Sequence, residues 1–240
     1  MKNIEEYVDS RHKAWCIHCG GDIGALATNR DHVPSKSLLR SPYPPNLPVV
    51  QICVSCNQGF SSDEEYLVAF LGAVLSGSTD PNEQVLETSR KALARSAKLR
   101  ARIARSETRY DTLGGDSRSI WAPEAARINR VILKNARGHA FYEYGEPMFE
   151  EPSFIGVLPF ASMTVEQLAN FEVGVQEPSI LSGWPEVGSR MLTRVLTGDD
   201  LQDGWVVVQE GVYRYAVAQN GSIAVKIVIA EYLAAEVHWD

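Results

Sequence analysis

Long apolar runs are missing from this chain of 240 residues, and that absence removes whole classes of protein. The longest apolar stretch, around Tyr66 to Leu75, is too short to cross a bilayer, and Met1-Lys2-Asn3-Ile4-Glu5-Glu6-Tyr7 is not a basic-then-apolar leader. No membrane partner and a cytoplasmic location are expected. No internal repeat or low-complexity segment is apparent. Cysteine is scarce as well: there are four, all between positions 16 and 56. Neither a disulfide scaffold nor scattered core thiols fit that distribution, and in a reducing compartment paired Cys-x-x-Cys motifs read as metal ligands.

Positive charge is also in short supply. The 23 Lys and Arg face 30 Asp and Glu, a net charge of -7, which by itself disfavours a phosphate-rich partner. The average conceals an asymmetry. Residues 88 to 138 hold 13 Lys and Arg against 4 Asp and Glu, whereas residues 139 to 240 hold 4 against 15. One basic surface and one acidic module follow from it, although a solvated arginine-rich helix explains the basic part more simply.

Three regions are expected in an α+β chain: residues 1–60 around the cysteines, a helical segment at 61–138 with a basic surface, and an acidic α+β domain at 139–240. Ile4, Tyr7 and Val8 suggest a short helical lead-in. Prolines at 42, 44, 45 and 48 force a loop. Ser62-Asp63-Glu64-Glu65 has the pattern of a capping box and predicts a helix that starts there and ends at Gly77-Ser78-Thr79-Asp80-Pro81. A second helix is expected over about 82–108, with Val85, Leu93, Ala97, Leu99 and Ile103 buried, and Leu113-Gly114-Gly115-Asp116 breaks it. Pro123 opens a third helix that Gly138 ends. Strands are expected at Phe154 to Ala161, at Trp205 to Val208, and at Val212 to Ala218 and Ile223 to Ile229 around an Asn220-Gly221 hairpin turn.

The cysteines form two pairs, Cys16-Ile17-His18-Cys19 and Cys53-Val54-Ser55-Cys56. Two such knuckles can close four thiolates on one zinc ion and so cross-link segments that share no large core. His18 could replace one thiolate, but with four cysteines present it reads as an exposed knuckle residue. Between the knuckles stands Arg30-Asp31-His32-Val33-Pro34-Ser35-Lys36, and Asn57 follows the last cysteine.

The segment Cys16 to Asn57 resembles the HNH, or His-Me finger, nuclease family, in which a first knuckle precedes Asp-His, a loop ends in Asn-Leu, and a second knuckle is followed by His or Asn. Asp31-His32, Asn46-Leu47 and Cys53 to Asn57 match those elements over about a quarter of the chain. The resemblance implies a zinc-stabilised ββα-metal finger in residues 1–60, followed by the helical segment and a mixed, β-containing C-terminal domain. It further implies a metal-dependent endonuclease acting on DNA, with His32 as general base and with Asp31 and Asn57 as ligands of a catalytic divalent cation. Asn46 is then the residue that holds the loop and orients His32. The chain carries asparagine at 57 where many members carry histidine, as in the HNN variant of the family. An amide oxygen favours magnesium or manganese over a catalytic transition metal.

Other readings stand beside this one. His32 reads in isolation as a residue capping the Pro34 turn, and Asp31 as the cap of a helix near Ser35. The chain is then a non-catalytic zinc module for nucleic acid or protein. An RNase using the same finger differs only in substrate, and no base-reading helix or RNA-stacking motif decides the matter. Lys36 and Arg40 are candidate phosphate contacts or solvent-facing charges. Arg95 and Arg102, with Arg90, Lys98, Arg105 and Arg109, are candidates to line a nucleic-acid backbone. The acidic C-terminal region offers a surface for a protein partner, a second copy, or the chain's own basic helices.

Overall fold

Strand β1 (Thr28–His32) pairs antiparallel with β2 (Val49–Cys53), setting Asp31 opposite Val50 and His32 opposite Val49, and helix α1 (Val54–Ser76) follows β2 with no intervening loop. The structure is a computed structural model describing residues 1–5, 13–111, 114–173, 184–219 and 221–240. Tyr7 and Val8 of the expected lead-in, Leu113 of the expected break and Asn220 of the expected turn lie outside the described residues. The chain forms two units, Met1–Gly59 with Ile132–Asp240, and Phe60–Val131.

Helix α1 begins eight residues before the capping-box serine, because a different cap comes first. The Cys56 amide donates to Cys53 Sγ at 3.4 Å, so a cysteine sulfur takes the place of the usual oxygen acceptor at a helix N-terminus. Ser62 and Asp63 are therefore mid-helix. Asp63 serves the second unit instead, accepting from Arg127 Nε at 2.6 Å and Arg130 Nη1 at 2.9 Å.

The expected helix over 82–108 is two helices, α2 (Glu87–Arg95) and α3 (Ala97–Ala104). Ser96 divides them: its backbone is extended (φ -125°, ψ 95°) and its hydroxyl accepts the Leu99 amide at 3.1 Å, ending one helix and capping the next. Leu93, Leu99 and Ile103 are buried as expected, but Val85 is 65% exposed and Ala97 is also exposed. From Glu107 the chain is a strand. β3 (Glu107–Asp111) and β4 (Ser117–Trp121) make a two-stranded antiparallel ribbon.

Helix α4 (Ala125–Tyr144) runs through Gly138 and past residue 139, where the composition changes. Gly138 is needed for closeness rather than for a stop, since a Cβ there would lie 2.7 Å from Val33 Cγ2. The remainder of the first unit contains short helices α5 (Val165–Glu172) and α6 (Arg190–Thr197), with α5 opened by a Thr164/Gln167 capping box. Its six-stranded antiparallel sheet runs β5-β10-β9-β8-β7-β6, formed from β5 (Phe154–Pro159), β6 (Leu201–Gln202), β7 (Trp205–Gln209), β8 (Tyr213–Gln219), β9 (Ile223–Ile229) and β10 (Leu233–Trp239). The strands expected at 205–208, 212–218 and 223–229 are present within a residue of their bounds.

The end of α4 is joined to this sheet by buried polar groups as well as apolar ones. His139 stacks on Tyr215 with ring centroids 3.7 Å apart, and its Nε2 lies 2.9 Å from the Tyr213 hydroxyl. Glu143 accepts from Arg194 Nε at 3.1 Å and from the Tyr215 hydroxyl at 2.5 Å, all three side chains being buried. Such a network is costly to desolvate, and its mutual hydrogen bonds offset that cost only in part, since Arg194 Nη2 and His139 Nδ1 are buried with no hydrogen-bond partner among the described residues. No helix among the described residues is long and apolar enough to cross a membrane.

Candidate functional site

The two cysteine pairs converge. Their four sulfurs all lie within 4.8 Å of one another, and Cys19 Sγ is 3.8 Å from Cys53 Sγ. Local backbone chemistry shapes each knuckle. The first is a tight turn in which the Gly20 amide donates to the Cys16 carbonyl and the Cys16 amide to the Gly21 carbonyl, both at 2.8 Å, with Gly20 at φ +68°. The second is the β2–α1 junction, where the Cys53 amide donates to Cys16 Sγ at 3.5 Å and so links the knuckles directly. Cys16 and Cys53 are buried with Ile17, Ile23, Val33, Val50 and Ile52 in a small apolar core beneath the sulfurs. Burial first, and then the neighbouring sulfurs, push the Cys56 thiol up. Four thiols this close ionise together only around a cation, and they are positioned to hold a metal ion.

Alternation along β1 separates Asp31 from His32. Asp31 is 8% exposed, whereas Arg30 and His32 lie on the other face of the strand. The Asp31 carboxylate meets a buried cation: Oδ1 accepts from Lys134 Nζ at 3.0 Å, and the same ammonium donates to Ser35 Oγ at 2.9 Å. One residue further along α4, Asn135 Oδ1 accepts the Ser35 amide at 2.9 Å. With Val33 seated on Gly138, three positions of α4 grip the segment from Asp31 to Ser35. Lys134 is itself only 4% exposed.

His32 is half-buried. Burial, followed by the positive charges of Lys36, Arg30 and Lys134, holds its imidazole below the ordinary range, so the ring is neutral at physiological pH. His18 is not the exposed knuckle residue its position suggested. Burial and the nearby Lys134 and Arg137 push it down to about 3. Arg137 ties the first knuckle to the chain beyond α4, donating to the carbonyls of His18 and Phe149 at 3.4 Å and of Glu150 at 2.9 Å.

Asn57 stands in the first turn of α1, directly after Cys56, and is half-buried. Asn46 is exposed at φ +55°, and its amide donates to the Met1 carbonyl at 3.2 Å. Lys36 is exposed with its ammonium 5.3 Å from the centre of the Tyr43 ring, while the Arg40 backbone amide and carbonyl are both taken by Gln209. In the second unit Arg95 pairs with Glu65 at 2.5 Å and Arg102 is paired through two nitrogens with Glu124. Both candidate phosphate-binding arginines thus already face carboxylates. Lys98, Arg100 and Arg105 form no ion pair among the described residues.

Comparison of the chain with protein-family models, with curated proteins and with solved structures returns no match. The site therefore rests on its own geometry. Sequence reasoning had no means of finding Lys134, Asn135 and Ser35 as members of it. Lys134 looked like one more charge in a basic stretch, and only its burial distinguishes it.

Proposed function

We propose that the chain is a metal-dependent endonuclease of the HNH type that hydrolyses phosphodiester bonds in DNA. The observation that carries this reading is a hairpin bracketed by two joined knuckles, the second of which opens directly into a helix. Asp31 and His32 end β1, β2 returns antiparallel, and α1 opens with Cys56 and Asn57, while four clustered thiols tie the first knuckle to the second. Zinc suits four thiolates in a closed shell and would act as scaffold. A hard divalent cation, magnesium or manganese, suits the oxygen donors of Asp31 and Asn57 and when bound offsets charge on the phosphate and the leaving oxygen.

The remaining work falls to the chain's own side chains. His32, neutral and half-open to solvent, accepts a proton from the attacking water. Its strand is held by β2 on one side and by α4 through Val33 and Ser35, which keeps the imidazole from drifting off line. Arg30 adds positive charge on the same face. Asn46 supports the loop between the strands. Lys98, Arg100 and Arg105 are better candidates than Arg95 and Arg102 for sequence-independent backbone contacts.

One observation favours a second reading. Asp31 already has a buried ammonium partner, which is what a purely structural aspartate would have, and on that view the chain is a non-catalytic zinc-binding interaction module. Incubation of the purified protein with supercoiled plasmid, single-stranded DNA and RNA, with magnesium or manganese and with EDTA, separates the readings. EDTA-sensitive nicking of plasmid supports the DNA endonuclease, and cleavage of RNA alone reassigns the substrate. Binding without cleavage of any substrate supports the module.

A further inference from the structure

The β3–β4 ribbon of the second unit has two unlike faces. Its register sets Thr108 opposite Ile120, Arg109 opposite Ser119 and Tyr110 opposite Arg118, and side chains alternate between the faces along each strand. One face is satisfied within itself: Glu107 Oε1 accepts from Arg109 Nε at 2.9 Å and from Ser119 Oγ at 2.7 Å, and Asp111 shares that side. The other face carries Thr108, Tyr110, Arg118 and Ile120, all exposed, and neither strand places a carboxylate on it. Tyr110 is 43% and Ile120 57% exposed, and the two are diagonal neighbours across the strands. A two-stranded ribbon alone is at best marginally stable in water, so an apolar pair left open beside a cation is a face that a partner completes.

Charge and shape name the partner. Arg105 caps α3 two residues before β3 begins, and with Lys98 and Arg100 it forms no ion pair among the described residues. Residues 97–121 hold six Lys and Arg against three Asp and Glu, in a chain whose net charge is -7. Two paired strands fit the major groove of B-DNA, and the open face has the chemistry of base recognition. A guanidinium spans O6 and N7 of guanine, an aliphatic group meets the thymine methyl, and a threonine hydroxyl bonds a base edge. We infer that the β3–β4 ribbon reads base edges in the major groove of duplex DNA, with Arg118 on guanine and Ile120 on the thymine methyl, while the open cations of α3 hold phosphates. The inference rests on the endonuclease reading for the choice of DNA as partner. Glu107 and Asp111 repel phosphates, so the ribbon is no backbone clamp, and the face turned away from them is the one that approaches the duplex. Backbone contacts alone carry no sequence information, and the ribbon supplies it.

The experiment is selection from DNA duplexes randomised at their centre by zinc-loaded, full-length protein without magnesium or manganese, followed by binding titrations of the selected duplex over a series of salt concentrations. The parent is expected to enrich a preferred sequence that contains guanine and thymine. Arg118→Ala is expected to lose on the order of tenfold in discrimination at one guanine and to keep the parent's salt dependence. Ile120→Ser is expected to relax the choice of thymine. Arg105→Ala is expected to weaken all sequences alike and to lower the salt slope by close to one. Both ribbon side chains are exposed, so circular dichroism of these variants should match the parent. Binding by the parent with no sequence preference overturns the inference and leaves the endonuclease reading intact. So does an Arg118→Ala protein that selects as the parent does, or one that weakens all sequences alike with a lower salt slope. No binding to any duplex overturns both.

Discussion

Val33 Cγ2 would lie 2.7 Å from a Cβ placed on Gly138, and Val33 Cγ1 2.9 Å from it, so α4 meets the strand exit after His32 at a distance that only a residue without a side chain permits. Alanine normally improves a helix interior by about 1 kcal/mol over glycine. Here the clash with a stiff β-branched neighbour should outweigh that gain, and Gly138→Ala is expected to destabilise the protein by about 1–2 kcal/mol net. Equilibrium urea denaturation checks it, and Val33→Ala in the same chain should recover part of the loss by making room.

The knuckles give a metal prediction. Zinc content should be about one per chain, because four thiolates complete one tetrahedral shell. Cys53→Ser should cost more than Cys19→Ser. Cys53 is buried and its sulfur accepts the Cys56 amide at the start of α1, whereas Cys19 is exposed and caps no helix among the described residues. Metal analysis and loss of helical circular dichroism after chelation measure both statements.

Acid should weaken the first unit through His139. Burial, then the Arg194 charge, holds this imidazole well below its ordinary range, so the folded form stays neutral where the unfolded form takes up a proton. More protons on the unfolded side mean that stability falls as pH drops through the unfolded value of about 6.5, by up to about 1.4 kcal/mol per pH unit for each such group. Denaturation midpoints at pH 7.5, 6.5 and 5.5 should show the fall, and His139→Phe should flatten it by one proton's worth even though it also loses the Tyr213 contact.

Charge already spent should matter less to a polyanion than charge still open. Lys98→Ala and Arg105→Ala are each expected to lower the salt dependence of DNA binding by close to one phosphate contact, while Arg95→Ala, whose guanidinium faces Glu65, should change it less. Binding titrations across a series of salt concentrations distinguish the two open charges from the paired one.

The parts of the molecule readable from sequence are those that short-range chemistry determines. Cys-x-x-Cys spacing identified the thiol cluster, and the Asn-Gly turn signal with its flanking apolar segments gave β8 and β9 nearly to the residue. Patterns that serve two purposes misled. Ser62-Asp63-Glu64-Glu65 spells a capping box, but a sulfur cap eight residues earlier starts the helix and leaves Asp63 to bind two arginines. Gly138 has the form of a helix stop and is a contact point. Lys134 and Asp31 are 103 residues apart, and no local rule connects them. Long-range pairs of that kind follow from how α4 packs, which becomes visible only once the chain is folded.

The central claim is that His32 performs catalysis rather than support, and single-turnover nicking of supercoiled plasmid in magnesium tests it most directly. His32→Ala should retain the zinc content and thermal stability of the parent to within a small margin and lose about 10²- to 10⁴-fold in nicking rate, the usual contribution of a general base. A His32→Ala protein that is folded, zinc-loaded and nicks plasmid at the parent's rate would contradict the account.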